Sequence, residues 1–116
     1  MPPRDWRLRV DDILDAIHKI DVYTRSMTLE DFAQDSRTID AVVRNLEIIG
    51  EASRHLDEPV LRAAPEIPWD KMRGLRNVVA HEYFGVDVGI IWQTARHDLP
   101  PLEAPLRRLI ETQAER

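Results

Sequence analysis

The 116-residue chain contains no cysteine. This excludes disulfides, iron–sulfur clusters and zinc sites built from thiolates, and it is typical of a protein in a reducing cytoplasm. No apolar run approaches the roughly 18–20 residues that a membrane span requires. The N-terminal segment MPPRDWRLRV lacks the uninterrupted apolar core of a secretory signal. We therefore expect a cytoplasmic protein that does not contact a membrane.

Glycine is also scarce, and the four glycines are too scattered to form a phosphate-binding loop. No serine lies in a G-x-S-x-G context. The four histidines have no evident cluster of zinc ligands around them. Glu47 and Glu51 lack the E-x-x-H partners of a carboxylate metal site, so we expect them to pair with Arg44 or Arg54, or to support another site. The sequence predicts neither a metal nor another cofactor.

The net charge of −5 argues against broad, nonspecific binding to nucleic acid. The charge is uneven, however, because the segment from Trp69 to His81 carries Lys71, Arg73 and Arg76 against Asp70 alone. An acidic body with a small basic segment suits a protein that handles one phosphate locally. A solvated helix face would carry the same charges, so composition leaves both interpretations open.

The hydrophobic pattern is helical throughout, and no alternating strand pattern of useful length occurs. Apolar residues make up 43% of the chain and charged residues 32%, which is ordinary for one globular domain covering residues 1–116. From Asp5 to about Tyr23 the spacing of apolar residues is four, three, four, three, which predicts an amphipathic first helix. Thr28 resembles the cap of a short helical turn.

A second long helix is predicted from Asp35 or Ser36 to about Leu56. Gly50 in its interior costs roughly 1 kcal/mol relative to alanine, which indicates a close approach of another helix, within the chain or across a dimer.

Prolines break the middle of the chain, and Pro68 is expected in the first turn of a third helix. Asp87 is expected to cap a fourth helix. A last helix follows the prolines at positions 100 and 101. The predicted fold is all-α, a bundle of four main helices plus shorter ones.

Candidate chemistry lies in the stretch RNVVAHEY, from Arg76 to Tyr83. Arginine offers a fork of donors suited to phosphate oxygens, and histidine moves protons near neutral pH. Together they could cleave a phosphodiester without a metal ion. If the third helix continues through this stretch, Arg73, Asn77 and His81 share one face. Arg76 would then lie about 140° around the helix from His81, within reach of a long side chain or of a second copy of the chain.

Each of these residues also has a plain structural interpretation. Arg76 could pair on the surface with Asp70 or Glu82, and His81 could cap a helix end. Tyr83 could flank the core. Asn77 is a poor helix former, so we expect its side chain to have a specific partner, either structural or functional. Taken singly, none of these residues predicts an enzyme.

Longer segments carry a family resemblance. The segments LRVDDILDAIHKIDVYT, FAQDSRTIDAVVRNLEIIGEAS, PEIPWDKMRGLRNVVAHEYFGVD and IIWQTARHDLPPL resemble, in the same order, successive blocks of the HepT family of HEPN-domain ribonuclease toxins. They extend from about Leu8 to Leu102, and the motif of Arg76, His81 and Tyr83 matches the R-x4-H-x-Y signature of that family.

The resemblance implies a HEPN-type antiparallel four-helix bundle that forms a homodimer with both motifs in a cleft at the interface. It implies a metal-independent endoribonuclease that acts on RNA as the toxin of a toxin–antitoxin system. The expected cleavage product ends in a 2′,3′-cyclic phosphate. Arg76 and His81 become the catalytic pair, and Asn77 becomes the polar residue inside the motif. We expect Asn77, Arg73 and Glu51 to support this pair. The implied partner is an MntA-like nucleotidyltransferase antitoxin that adds AMP to Tyr83. Arg44 and Glu51 match polar positions of the RNLEIIGEA block, without a defined role.

Two other functions are compatible with the same residues. The first is a non-catalytic HEPN dimer that binds RNA, a nucleotide or a nucleotidyltransferase partner, which the net charge of −5 favours slightly. The second is a bundle whose only role is dimerisation.

Overall fold

A computed structural model describes the backbone of residues 5–82 and 87–113 and the side chains of residues 5–76 and 87–112. These residues form only helices and the turns between them, so the predicted all-α class is confirmed. No helix among them is long and apolar enough to cross a membrane.

The first helix, α1, spans Trp6–Thr24, and its amphipathic pattern is confirmed. The Asp5 carboxylate accepts a hydrogen bond from the backbone N–H of Arg7 at 2.8 Å, which satisfies one of the free donors at the helix start. The short helix α2, Leu29–Ala33, begins at the predicted cap, where Thr28 and Asp31 form a reciprocal capping box. The buried face of α1 consists of Val10, Ile13, Ala16, Ile17, Ile20 and Thr24.

The second long helix, α3, spans Ser36–Arg54 and packs against both α1 and the later helix α5. Asp35 is the N-cap and accepts from the backbone N–H of Thr38 at 3.0 Å. Because α3 contacts two long helices, it buries most of one side: Val42, Val43, Asn45, Leu46, Ile49, Gly50, Ala52 and Ser53. This helix therefore lies at the centre of the fold and sets the position of α5.

The middle of the chain contains one more helix than the prolines predicted. Pro59 lies in the first turn of a short helix, α4, Glu58–Ala63. Helix α5, Trp69–Glu82, begins just after Pro68, one residue later than expected, and the Pro68 carbonyl accepts from the backbone N–H of Met72 at 3.1 Å. The buried Trp69 indole donates to the Ala64 carbonyl at 3.0 Å, which fixes the start of α5 against the preceding turn.

The C-terminal part of the chain is helical but irregular. Asp87 caps α6, Val88–Gln93, as predicted, by accepting from the backbone N–H of Gly89 at 2.9 Å. A π-helical turn, Thr94–Asp98, and a 3-10 turn, Pro100–Leu102, then lead into α7, Glu103–Gln113. This part contributes Ile91, Ala95, Leu99, Leu106 and Leu109 to the core.

Candidate active site

Helices α3 and α5 approach most closely at Gly50. A Cβ atom built on Gly50 would lie 2.8 Å from the Arg76 backbone nitrogen and 3.0 Å from the Arg76 Cβ. Only a residue without a side chain fits there, because backbone atoms cannot move aside as a flexible side chain can. The close approach predicted from Gly50 is confirmed, and it occurs within one chain. It places Arg76 directly against the C-terminal part of α3.

The Arg76 guanidinium is held by a carboxylate of that neighbouring helix. Arg76 Nη1 lies 2.9 Å from Glu51 Oε2, and both side chains are about half exposed, at 48% and 47%. The other oxygen of the same carboxylate lies 3.0 Å from His55 Nε2. Glu51 therefore links a guanidinium on α5 with an imidazole at the end of α3. Among the described residues, the partners of Glu51 are Arg76 and His55 and not the expected Arg44 or Arg54, which leaves the other expected role, support of another site.

Glu51 is stabilised in its charged form. The hydrogen bond from His55 lowers the pKa of the Glu51 carboxyl, partial burial opposes this shift, and the positive charge of Arg76 lowers the pKa further. Hydrogen bonds and opposite charges both favour the ionised carboxylate. At neutral pH the side chain is thus an anion that can hold Arg76 in one orientation.

Arg76 opens onto a polar groove between α1, α3 and α5, which we call the arginine groove. It has a volume of about 310 Å³ and is lined by Arg9, Asp12, Arg44, Glu47, Ile48, Glu51, Ala52 and Arg76. The α3 members recur three and four residues apart, the spacing of one helix face. The expected pair of Glu47 with Arg44 is present, although its N–O distance of 3.7 Å is long.

Arg9 is a member of the arginine groove that the sequence did not single out. It lies beside the buried stripe of α1, and its Nε atom is buried without a hydrogen-bond partner among the residues whose side chains are described. No local signal distinguishes Arg9 from the other charged residues near the start of the chain. Only the packing of α1 on α3 brings it into the groove.

Arg73, an expected supporting residue, lies outside the arginine groove. Its Nε donates to the Ser53 carbonyl at 3.5 Å, near the end of α3. It lines a separate pocket of about 390 Å³ together with Arg54, Asp70 and Gly74. The structure therefore does not bring Arg73 and Arg76 into one cavity, although they are only three residues apart in the chain.

The backbone of α5 is helical through Glu82, as the interpretation of the motif required. Positions 73, 77 and 81 consequently follow one another along one side of α5, and position 76 lies about 140° around the helix from position 81. The side chains of Asn77, His81 and Tyr83 lie outside the described residues, so their roles remain predictions. Within the described part of the chain, no group of three or more His, Asp or Glu side chains could hold a metal ion.

Comparison with known proteins identifies the family. The model of the family described as "Ribonuclease HepT-like" matches residues 13–109, which include all of α3 and α5. The chain belongs to the ribonuclease HepT-like family. The matched range contains Glu51, Arg76 and His81, so the cross-helix contact and the motif both lie inside the family domain.

Three relatives align with this chain over most of their length. A protein of Thermococcus cleftensis named "Probable ribonuclease HepT" is 44% identical over 100 residues, covering 86% of this chain and 91% of the relative. A protein of Methanocaldococcus jannaschii described as a candidate RNase is 39% identical over 100 residues, covering 86% and 83%. A second candidate RNase of the same organism is 33% identical over 116 residues, covering 100% of both chains. No solved structure gave a significant match.

Proposed function

We propose that this HepT-like protein is a metal-independent endoribonuclease in which Arg76 and His81 form the catalytic pair. One observation carries the proposal. Arg76 is held by Glu51 at an open polar groove, on the same continuous helix as His81. Membership of a ribonuclease family supports RNA as the substrate, and the name of the Thermococcus cleftensis relative points to the same activity.

The reaction requires one base, one acid and one stabilised anion. His81 takes the proton from a ribose 2′-OH, or protonates the departing 5′-oxygen, and solvent water accepts or supplies the other proton, while Arg76 donates to the non-bridging phosphate oxygens. The 2′-oxygen forms a bond to phosphorus and the bond from phosphorus to the 5′-oxygen breaks. The products are a 2′,3′-cyclic phosphate and a 5′-hydroxyl.

Glu51 acts through Arg76 as a positioning residue. An arginine side chain that is half exposed samples many rotamers unless a partner restricts it, and the 2.9 Å contact with Glu51 supplies that restriction. His55, 3.0 Å from the same carboxylate, in turn orients Glu51. Fixing the guanidinium before RNA binds reduces the entropy lost on forming the transition state.

The protein would act as the toxin of a toxin–antitoxin pair and would work as a homodimer. Its antitoxin would be an MntA-like nucleotidyltransferase that adds AMP to Tyr83. An added AMP two residues from His81 introduces bulk and negative charge where an RNA phosphate must bind. A Tyr83→Phe variant should keep its ribonuclease activity but escape inhibition by the partner. Inhibition of this variant to the same extent as wild type would reject Tyr83 as the modified residue.

Cleavage of RNA in the presence of a chelator is the direct test. Protein purified without its partner should cleave single-stranded RNA in EDTA, and His81→Ala and Arg76→Ala should abolish cleavage while remaining folded. Arg62→Ala is the matched control, because Arg62 is 77% exposed and pairs weakly, at 3.8 Å, with Glu58 of its own helix. A strict requirement for added metal, or full activity in His81→Ala, would reject the mechanism.

A non-catalytic binding module is the second candidate. The arginine groove contains as many carboxylates (Asp12, Glu47, Glu51) as arginines, and the whole chain carries a net charge of −5. RNA therefore approaches a surface that is not strongly basic. RNA or nucleotide binding without cleavage over several hours, at several pH values, would select this candidate over the enzyme.

A further inference from the structure

The arginine groove contains two cations that the catalytic scheme does not use. Arg9 reaches it from α1 and Arg44 from α3. We propose that Arg9 and Arg44 form a second phosphate subsite, which binds a phosphate of single-stranded RNA other than the scissile one. This assignment rests on the proposed function, because the scissile phosphate is the one placed at Arg76.

The spacing along α3 separates the two phosphate positions. Arg76 contacts Glu51, and Arg44 precedes Glu51 by seven residues, which is about 10 Å along the helix axis and close to the same face. Arg44 and Arg76 are thus two points along one side of α3. An RNA strand that follows this side places two of its phosphates, not necessarily adjacent ones, at these two points.

Arg44 is free to exchange its partner for a phosphate. Its side chain is 70% exposed, and its contact with Glu47 measures 3.7 Å, longer than a charge-assisted hydrogen bond of about 2.7–2.9 Å. A phosphate can instead accept two parallel hydrogen bonds from a guanidinium. The weak intrahelical pair therefore holds Arg44 near the groove without blocking an incoming anion.

Arg9 contributes a cation that is partly desolvated before the ligand binds. Its Nε is buried and has no partner in the part of the chain whose side chains are described. A cation that has already lost part of its hydration gives up less water when a charged acceptor binds to its exposed part. The volume of the groove, about 310 Å³, lies at the lower end of the roughly 300–1,000 Å³ typical of ligand sites. This volume is enough for a phosphate group and part of a nucleotide.

Binding of a non-cleavable RNA tests the subsite independently of catalysis. The probe is a fluorescent single-stranded RNA oligonucleotide with 2′-O-methyl groups, titrated with wild type, Arg44→Ala and the control Arg62→Ala at several salt concentrations. Arg44→Ala should raise Kd about 10-fold and reduce the slope of log K against log salt by about 1, as expected for one lost phosphate contact. Arg62→Ala should match wild type. Equal Kd values and slopes for all three proteins would overturn the proposal.

Replacing single phosphates identifies the one that Arg44 contacts. In a series of the same oligonucleotide with one neutral methylphosphonate at each position, one position should weaken binding to wild type but not to Arg44→Ala. The same position should be silent in Arg9→Gln if both arginines hold one phosphate. If the Arg9 variant fails to fold, the Arg44 series still decides whether the subsite exists. A series in which every position weakens both proteins equally would reject it.

AMP is the probe for the other source of phosphate, a free nucleotide. If Arg44→Ala weakens AMP binding and leaves RNA binding unchanged, the groove is a nucleotide site and the RNA assignment is wrong. Cleavage of unmodified RNA by wild type separates this inference from the proposed function. Absence of cleavage combined with the Arg44 binding defect would reject the enzyme and keep the subsite. Normal cleavage by wild type, combined with unchanged RNA binding by Arg44→Ala, would keep the enzyme and reject the subsite.

Discussion

Gly50 of α3 touches the backbone of Arg76 in α5, with only 2.8 Å between the position of a Cβ on residue 50 and the Arg76 nitrogen. The contact fixes where the proposed catalytic arginine lies relative to Glu51, the next residue of α3. The packing of α3 on α5 and the position of Arg76 therefore both depend on the absence of a side chain at Gly50.

Gly50→Ala should destabilise the protein. Alanine in a helix gains about 0.5–1 kcal/mol over glycine, but pushing α5 outward costs about 1–3 kcal/mol. We expect a net loss of up to about 2.5 kcal/mol in the free energy of unfolding measured in urea, together with slower RNA cleavage because Arg76 moves.

Gly74→Ala is the matched control, since Gly74 lies inside α5 and a Cβ there would have no neighbour within 4 Å. That variant should gain about 0.5–1 kcal/mol of unfolding free energy. Equal gains at both positions would show that α3 and α5 are not in tight contact.

Removal of the Glu51 carboxylate should reduce kcat more than it changes KM. Without the 2.9 Å contact, the Arg76 guanidinium spends less time at the scissile phosphate, and misplacement of a catalytic group can cost about 100-fold in rate. We expect Glu51→Ala to lower kcat about 10- to 100-fold and Glu51→Gln to recover part of it through its amide oxygen. Steady-state kinetics on a short RNA would measure both. A higher kcat in Glu51→Ala would mean that the carboxylate competes with RNA for Arg76.

Acid stability should depend on Glu51. The pKa of this carboxyl is lowered in the folded protein, first by the hydrogen bond from His55 and then by Arg76. Its stabilising contribution is therefore present above the usual glutamate pKa of about 4.3 and is lost as the pH falls through the lower, folded value. Tm measured against pH should show wild type above Glu51→Gln at neutral pH, with the curves converging below about pH 4. A constant difference across this range would contradict the lowered pKa.

Arg96, in the π-helical turn, should contribute more to the free energy of unfolding than Arg25, which contacts the same carboxylate. Arg96 Nη1 lies 2.7 Å from Asp21 Oδ1 and its side chain is only 26% exposed, whereas Arg25 contacts the other oxygen of Asp21 at 3.1 Å and is 53% exposed. Hydrogen bonds to charged groups are worth about 1.5–3 kcal/mol when water is partly excluded, and exposed pairs about 0–1 kcal/mol. Urea unfolding should show a loss of about 1–2 kcal/mol for Arg96→Ala and at most about 0.5 kcal/mol for Arg25→Ala. Equal losses would reject this difference.

Much of the fold could be predicted from local pattern. The apolar spacing predicts α1, and the predicted caps at Thr28, Asp35 and Asp87 all correspond to observed helix starts, because a cap satisfies backbone donors within its own turn. The short helix α4 was missed, since Pro59 marks either a chain break or a first helical turn. The π-helical turn at Thr94–Asp98 lies in a stretch whose apolar spacing predicts an ordinary α-helix.

The candidate site, like the fold, has features that the local sequence predicts and others that depend on how the helices pack. The sequence alone selected Arg76, His81 and Tyr83 by their spacing and resemblance, and it marked Gly50 as a point of close approach, because both signals are contained in a few consecutive residues. Only the tertiary structure decided that Glu51 holds Arg76, that Arg9 enters the same groove, and that Arg73 lies in another one. These relationships join residues on different helices, or different sides of one helix. The rotation and depth at which α1 and α5 pack on α3 determine them, and no short stretch of sequence encodes that packing.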